Sequence, residues 1–266
     1  MTTPTDRSPA IRTITDRLTL SDGSEVATTT LEPSDRDNDQ VRLGEVIICH
    51  GTPWSSHMWL PLARELAQTK RVRLWDMPGY GESIPATSGE SIPAPAGTSA
   101  QPTDDPLAEA TPAVDLITQR RRLAELIDCW TISDPHVIAH DIGGAVALGA
   151  HLLEGSDFAS LYLLDVVTLD PWGSPFFRLV AENEKVFAAL RPEHTAPIVD
   201  RLGEARCPVR IGWGADDPWI PANQADRLAE ALPHRPYVTR FPRTGHLVPL
   251  EAPHDLHADV TAWLHG

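Results

Sequence analysis

The segment His136–Leu148, HVIAHDIGGAVAL, decides how the chain folds. Its apolar run Val137–Ala139 has the make-up of a buried strand. The run stops at His140-Asp141-Ile142-Gly143-Gly144 and passes straight into an apolar, helix-forming stretch. A strand that ends at a sharp turn and re-emerges as a helix lifts the turn's central side chain clear of the backbone. Small residues must flank that position so that strand and helix can approach, and here the flanks are Ala139 and Gly143. Such an elbow ordinarily carries the serine of G-x-S-x-G; in this chain the raised residue is Asp141. The pattern predicts a nucleophile elbow that presents a carboxylate. An aspartate here would also serve as a helix N-cap, and the neighbouring motifs weigh against that simpler role.

On both sides of the elbow, strand-like and helix-like stretches alternate. Thr13–Leu20 and Glu25–Leu31 read as a hairpin turning at Asp22-Gly23, after a frayed polar start over residues 1–12. Glu45–Cys49 is a buried strand, Met58–Thr69 an amphipathic helix and Arg71–Trp75 the next strand. Ile84–Pro112 contains six prolines and begins within a tandem duplication, ESIPATSG (82–89) followed by ESIPAPAG (90–97). It has too few apolar groups to offset its ordering entropy and predicts a flexible surface insertion. Val114–Trp130 and Gly144–Leu153 read as helices, and Ser160–Val167 and Pro208–Gly214 as strands. Pro221–Ala231 is a helix, Tyr237–Phe241 a strand and Pro253–Leu264 a closing helix. Between them, 170–206 breaks the alternation, with a helix expected from Ser174-Pro175. The expected organisation is an α/β core over 13–169 and 207–266 around a largely parallel sheet, with a short helical cap at 170–206. Ligands of such sheets sit beyond the carboxyl ends of the strands. His50–Pro53, Asp76–Ser83, Asp141, Asp217 and His246 each follow a strand, so they should crowd one edge.

A net charge of −15 over 266 residues argues against nucleic acid or an anionic membrane as partner and fits a small-molecule protein. Cys49, Cys129 and Cys207 are odd in number and scattered among apolar residues. They read as buried free thiols in a reducing compartment, with no metal-ligand spacing. His254 and His257 are expected to face solvent on the last helix. No opening signal segment and no apolar run near 18 residues is present, so a cytoplasmic location is expected.

Asp141, Asp217 and His246 occur in the order nucleophile, acid, histidine. With HGTPWSSHMW (50–59), DMPGYGES (76–83), AHDIGG (139–144) and GADDPWIP (214–221), the chain resembles the α/β-hydrolase superfamily from about Thr13 onward. Within it, these motifs resemble the branch of haloalkane dehalogenases and epoxide hydrolases. The resemblance implies Asp141 as nucleophile, His246 as base and Asp217 as the acid that orients it, with Asp216 or Asp165 as substitutes for the acid. It also implies an oxyanion hole from the backbone N–H groups of Thr52 and Ile142, and no metal or organic cofactor.

A carboxylate nucleophile gains little by attacking an ester carbonyl, because the product is an anhydride. At a saturated carbon bearing a halide or a strained oxygen it forms an ordinary ester, which activated water then cleaves. The expected activity is therefore hydrolysis of an epoxide or alkyl halide through an alkyl-enzyme ester. The leaving-group partners depart from both relatives. Cap tyrosines are missing from 170–206, and Ile142 and Thr52 stand where dehalogenases hold halide. Trp54, Tyr80, Trp172, Phe176 and Trp219 are the candidate pocket residues, while Tyr162 and Tyr237 are expected in strand cores. The short cap suggests a large substrate that supplies its own cover, a contribution from the Ile84–Pro112 loop or from a second subunit of a homodimer, or impaired activity. A lyase or cyclase with Asp141 and His246 as acid and base, and a non-catalytic ligand-binding homologue, are the rival readings.

Overall fold

The computed structural model describes residues 10–34, 44–86, 113–172 and 185–265. Phe176, the Ser174-Pro175 helix start and most of the expected insertion lie outside that range. Eight strands form one sheet: β1 (Ile11–Thr19), β2 (Glu25–Pro33), β3 (Glu45–Cys49), β4 (Arg71–Trp75), β5 (His136–His140), β6 (Ser160–Leu164), β7 (Val209–Gly214) and β8 (Val238–Phe241). Their spatial order is β1-β2-β4-β3-β5-β6-β7-β8. β1 and β2 form the expected hairpin, β2 pairs antiparallel with β4, and every later pairing is parallel. β1 begins at Ile11, which pairs with Pro33, so the frayed start ends earlier than the polar composition implied.

Helices cover the sheet: α1 (Leu60–Leu66), α2 (Leu116–Cys129), α3 (Ile142–Leu153), α4 (Lys185–Ala188), α5 (Ala196–Val199), α6 (Asn223–Ala231), α7 (Val248–Glu251) and α8 (Pro253–His265). The helix expected over Met58–Thr69 is a 3₁₀ turn at Ser56–Trp59 followed by the shorter α1. Periodicity locates a helix but reads its ends poorly, because the last turns are held by local hydrogen bonds rather than by the apolar stripe. α3 is buried along nearly its whole length. One apolar cluster gathers α2, α3 and Leu161, Leu163 and Trp213 of the sheet; a second joins α1 and α8 to Val46, Ile48, Val72 and Leu74. In the described part of 170–206, Ile198 and Leu202 are buried against the core.

Two features hold the hairpin to the sheet's flank. The turn residue Asp22 pairs with Arg122 of α2 at 2.6 Å, both almost wholly buried. The next turn residue, Ser21, donates to the Glu125 carboxylate. Two expectations of burial fail. Tyr237 is 67% exposed, lying under the Arg210 guanidinium at the sheet's β8 edge. Cys129 is exposed at the end of α2 and Cys207 half-buried, so only Cys49 is a buried thiol. Both residues sit at element ends, where an apolar neighbourhood in sequence does not secure cover in space. No helix among the described residues is long and apolar enough to cross a membrane.

Candidate active site

Asp141 follows β5 in a backbone conformation of φ 52°, ψ −125°, and its side chain makes no cap bond to α3. The N-cap role is therefore excluded. A non-glycine residue held at positive φ stores strain, which the packed elbow maintains. That packing depends on glycine at two places. A Cβ on Gly143 would stand 2.5 Å from the His50 carbonyl oxygen, and one on Gly51 would stand 2.6 Å from Asp141 Cβ.

The turn after β3 reaches the carboxylate from the other side. Thr52 donates its backbone N–H to Asp141 Oδ2 at 2.8 Å, and the Ile142 N–H also acts on the same carboxylate. The other oxygen, Oδ1, faces His246 Nε2 at 3.7 Å. His246 Nδ1 donates to Asp217 Oδ2 at 2.8 Å. Asp217 is fixed in turn, its Oδ1 accepting from the N–H groups of Trp219 and Ile220. Three residues from three separate loops thus form one relay. Asp216 is exposed and takes no part.

Asp165, after β6, is wholly buried at positive φ and accepts from the Gly214 N–H at 2.7 Å. Its carboxylate, that of Asp217 and the imidazole of His246 present atoms within 4.8 Å of one another, the group among the described residues that could hold a cation. Asp217 and His246 already spend their facing atoms on each other, so the donor set suits an acid–base unit. Burial drives the Asp165 carboxyl well above its ordinary range, and the nearby Asp217 and Asp141 charges add to the rise. Burial likewise raises Asp141, against the opposing pull of His246 and the two N–H groups. For His246 burial disfavours charge, but the Asp217 hydrogen bond and the Asp141, Asp217 and Asp165 charges outweigh it and lift the imidazole to about 9.

Two histidines of the quoted motifs hold this geometry, and sequence reading assigned them no role. The fully buried His140 ring lies 4.9 Å from that of His246 and, since a carbonyl only accepts, donates Nε2–H to the His246 backbone oxygen. His50 donates Nδ1–H to the Gly51 carbonyl and accepts the Met77 N–H on Nε2, tying the Thr52 turn to the Asp76–Ser83 loop. Their position inside strand-end motifs was the available signal; nothing local distinguishes a clamp from packing.

The pocket candidates separate. Tyr80 is buried beside Thr52 and feels the Asp141 charge. Trp219 stands 5.0 Å from the His246 ring. Trp172 is buried within the α2–α3 cluster, and Trp54 packs against the cluster beneath α1 and α8. Tyr162 is committed to Asp259 of α8. His254 is exposed as expected and His257 half-buried.

An eight-stranded, mostly parallel sheet with a strained elbow and a carboxylate–histidine pair at its strand ends defines the α/β-hydrolase class of fold. A family model described as alpha/beta hydrolase fold matches residues 45–203, and the chain belongs to that family. Among curated proteins, none matches. Among solved structures, an alpha/beta hydrolase fold protein from Burkholderia ambifaria is 29% identical at a TM-score of 0.74, over 93% of this chain and 97% of that one. The 2-hydroxy-6-oxo-6-phenylhexa-2,4-dienoate hydrolase of a Rhodococcus species is 16% identical at a TM-score of 0.72, over 97% and 100%. A thermophilic esterase from Thermogutta terrifontis is 19% identical at a TM-score of 0.66, over 95% and 98%. The last two likenesses concern the fold.

Proposed function

We propose that this α/β hydrolase attacks a saturated carbon with Asp141, opening an epoxide or displacing a halide through an alkyl-enzyme ester. The observation that carries the reading is the split between the two carboxylate oxygens. Oδ2 accepts the Thr52 N–H at 2.8 Å, the donor proposed for the oxyanion hole, while Oδ1 faces His246 Nε2 at 3.7 Å. A serine elbow leaves its hole for the substrate's oxygen. Here the hole holds the nucleophile's own second oxygen, so it is placed for the enzyme's own ester.

In the first step Oδ1 forms a bond to carbon and the leaving group departs with the electron pair. In the second, water loses a proton to His246 and adds to Asp141 Cγ. The charge that develops on Oδ2 falls between the Thr52 and Ile142 N–H groups. Collapse of the tetrahedral intermediate expels the alcohol, which takes the proton from His246. Asp217 holds the imidazole in the tautomer that leaves Nε2 facing the nucleophile. The proposed partners are a small-molecule substrate and water, with the 170–206 segment acting as a short cap over the 13–169 and 207–266 core.

Intact mass spectrometry of His246→Ala tests the route. Without its base the second step stalls, and incubation with epoxides or bromoalkanes should leave a mass adduct on the Asp141 peptide. Turnover by the natural enzyme with no adduct in the variant would reject the ester in favour of direct acid–base chemistry.

A further inference from the structure

The two edge strands of the sheet are protected unequally. β8 is four residues long, and its Arg240 is held by the Asp226 carboxylate of α6. β1 runs for nine residues in unbroken register with β2. Among the described residues no strand pairs with its outer side. Natural proteins guard an edge by shortening it or by placing proline, lysine or a bulge in it. The β1 sequence, IRTITDRLT, has none of these, and its two isoleucines, leucine and three threonines suit a strand. Ile14, at its middle, is 37% exposed.

Bonds at the two ends of the hairpin fix which way each peptide group points. Leu20 donates its N–H to the Ser24 carbonyl, and Ser34 donates to the Ala10 carbonyl. Even-numbered residues of this strand therefore bond β2, and Ile11, Thr13, Thr15, Arg17 and Thr19 turn their peptide groups outward. Side chains alternate along a strand, so Arg12, Ile14 and Asp16 share one face. All three are exposed. Arg12 stands 4.0 Å from Glu32, whose carboxylate Arg71 already engages at 2.6 Å. Asp16 Oδ1 accepts the N–H of its neighbour Arg17 at 2.8 Å.

We infer that β1 pairs antiparallel with β1 of a second copy of this chain, joining the two sheets across a two-fold axis at Ile14. Outward peptide groups can bond only to outward ones, so odd-numbered residues must face odd-numbered residues of the partner. An axis at Ile14 sets Thr13 against the partner's Thr15 and Ile11 against the partner's Arg17. Ile14 then meets its own copy, and Arg12 meets the partner's Asp16 on both sides of the axis. An axis at Thr15 would instead set Arg12 against Leu18 and Asp16 against Ile14, and one at Thr13 would set Arg12 against Ile14. Charge complementarity thus selects a single register. Its even-numbered pairs are of the non-hydrogen-bonded kind, in which side chains lie closest. Opposite charges across such a pair stabilise it, and like charges destabilise it. The contact is isologous, so each β1 edge is consumed by the other and assembly closes at two copies. This interface does not depend on the chemistry of Asp141.

Sedimentation velocity of the full chain over a concentration series tests the pairing. The natural protein should be a dimer in reversible equilibrium with monomer, and a monomer at every concentration overturns the proposal. Arg12→Asp sets carboxylate against carboxylate on both sides of the axis and should raise the dissociation constant by about tenfold or more. Asp16→Arg should do the same with two guanidinium groups, and the two substitutions together should restore the natural association. Single variants without effect, or a double variant as weak as the singles, overturn the register and the proposal with it. Thr15→Pro removes an outward N–H and no bond to β2, so the fold should survive by circular dichroism while the dimer dissolves. A dimer that persists in that variant lies on another surface and overturns the proposal. If Thr15→Pro fails to fold, Ile14→Cys is oxidised mildly and its peptides are mapped by mass. A disulfide joining position 14 to position 14 supports the axis, and its absence from the oxidised dimer overturns it.

Discussion

His246 lies between two carboxylates, 2.8 Å from Asp217 and 3.7 Å from Asp141, and its charge depends on both. With a pKa near 9 it is an imidazolium at neutral pH, which is the wrong state for a base. In the proposed route, esterification of Asp141 would remove one of the charges that sustain it, so alkylation itself would release the base for the second step. Asp141→Asn mimics that loss. Its His246 should titrate by NMR below the parent's value near 9, and an unmoved pKa would leave Asp217 as the controlling charge. The linkage to stability has a definite sign. A histidine raised from 6.5 to about 9 on folding stabilises the protein fully below 6.5 and loses that contribution as pH rises through 9. The stability difference between the natural protein and His246→Ala should narrow across that window in urea titrations. Which acid orients the ring is a separate question, because Asp165 stands beside Asp217. Asp217 alone bonds Nδ1, so Asp217→Asn should slow hydrolysis of the Asp141 ester by about 10³- to 10⁴-fold, the scale of a wrong tautomer. Asp165→Asn should slow it far less, and the reverse order in single-turnover rates would move the acid to Asp165. The order of Asp141, Asp217 and His246 was legible in sequence, and the resemblance favoured Asp217 as the acid, but strand-end position alone did not set it apart from Asp165 and Asp216. All three follow strands, and only distance to the imidazole separates them.

At the level of elements, the elbow and the hairpin are held by different means. The elbow relies on close backbone approach at Gly51 and Gly143. The hairpin relies on the buried Asp22–Arg122 pair, which joins residues 100 apart in sequence. Arg122→Leu would leave Asp22 charged and 4% exposed, and should destabilise by about 3–5 kcal/mol in urea. The double replacement Asp22→Asn with Arg122→Leu should cost less than the sum of the two singles. A single-variant loss below about 1 kcal/mol would mean the pair acts like a surface bridge. Strand positions were legible to within about three residues, the largest miss being the strand expected over Ser160–Val167 that ends at Leu164, because buried parallel strands are short apolar runs bounded by polar loops. The exposed Tyr237 and Cys129 were not, since an apolar residue at an element's end is covered only if a neighbour reaches it. The roles of His50 and His140 were hidden for a similar reason. Each bonds a backbone atom of a loop far away in the chain, and such partners have no local signature.

Across the whole molecule, 37 acidic residues against 22 basic ones produce self-repulsion that folding concentrates. Added salt screens this and should raise Tm in scanning calorimetry at pH 7. A fall would show that clusters such as Arg71 with Glu32 and Glu45 outweigh the net repulsion. The sequence by itself determined the class of fold, the order of the strands along the chain and the loops that carry polar groups. Periodicity, composition and short motifs are local, and each strand-to-loop junction can be read where it stands. Tertiary structure decided which loops meet: the sheet order β1-β2-β4-β3-β5-β6-β7-β8 brings the ends of β3, β5, β7 and β8 to one edge. It decided that the Thr52 N–H meets Asp141 Oδ2, and that Asp217 rather than Asp216 meets the His246 ring. Those outcomes depend on distances of a few ångströms between residues up to 106 positions apart. Such distances are set by close packing of the assembled layers, and no window of sequence contains both partners.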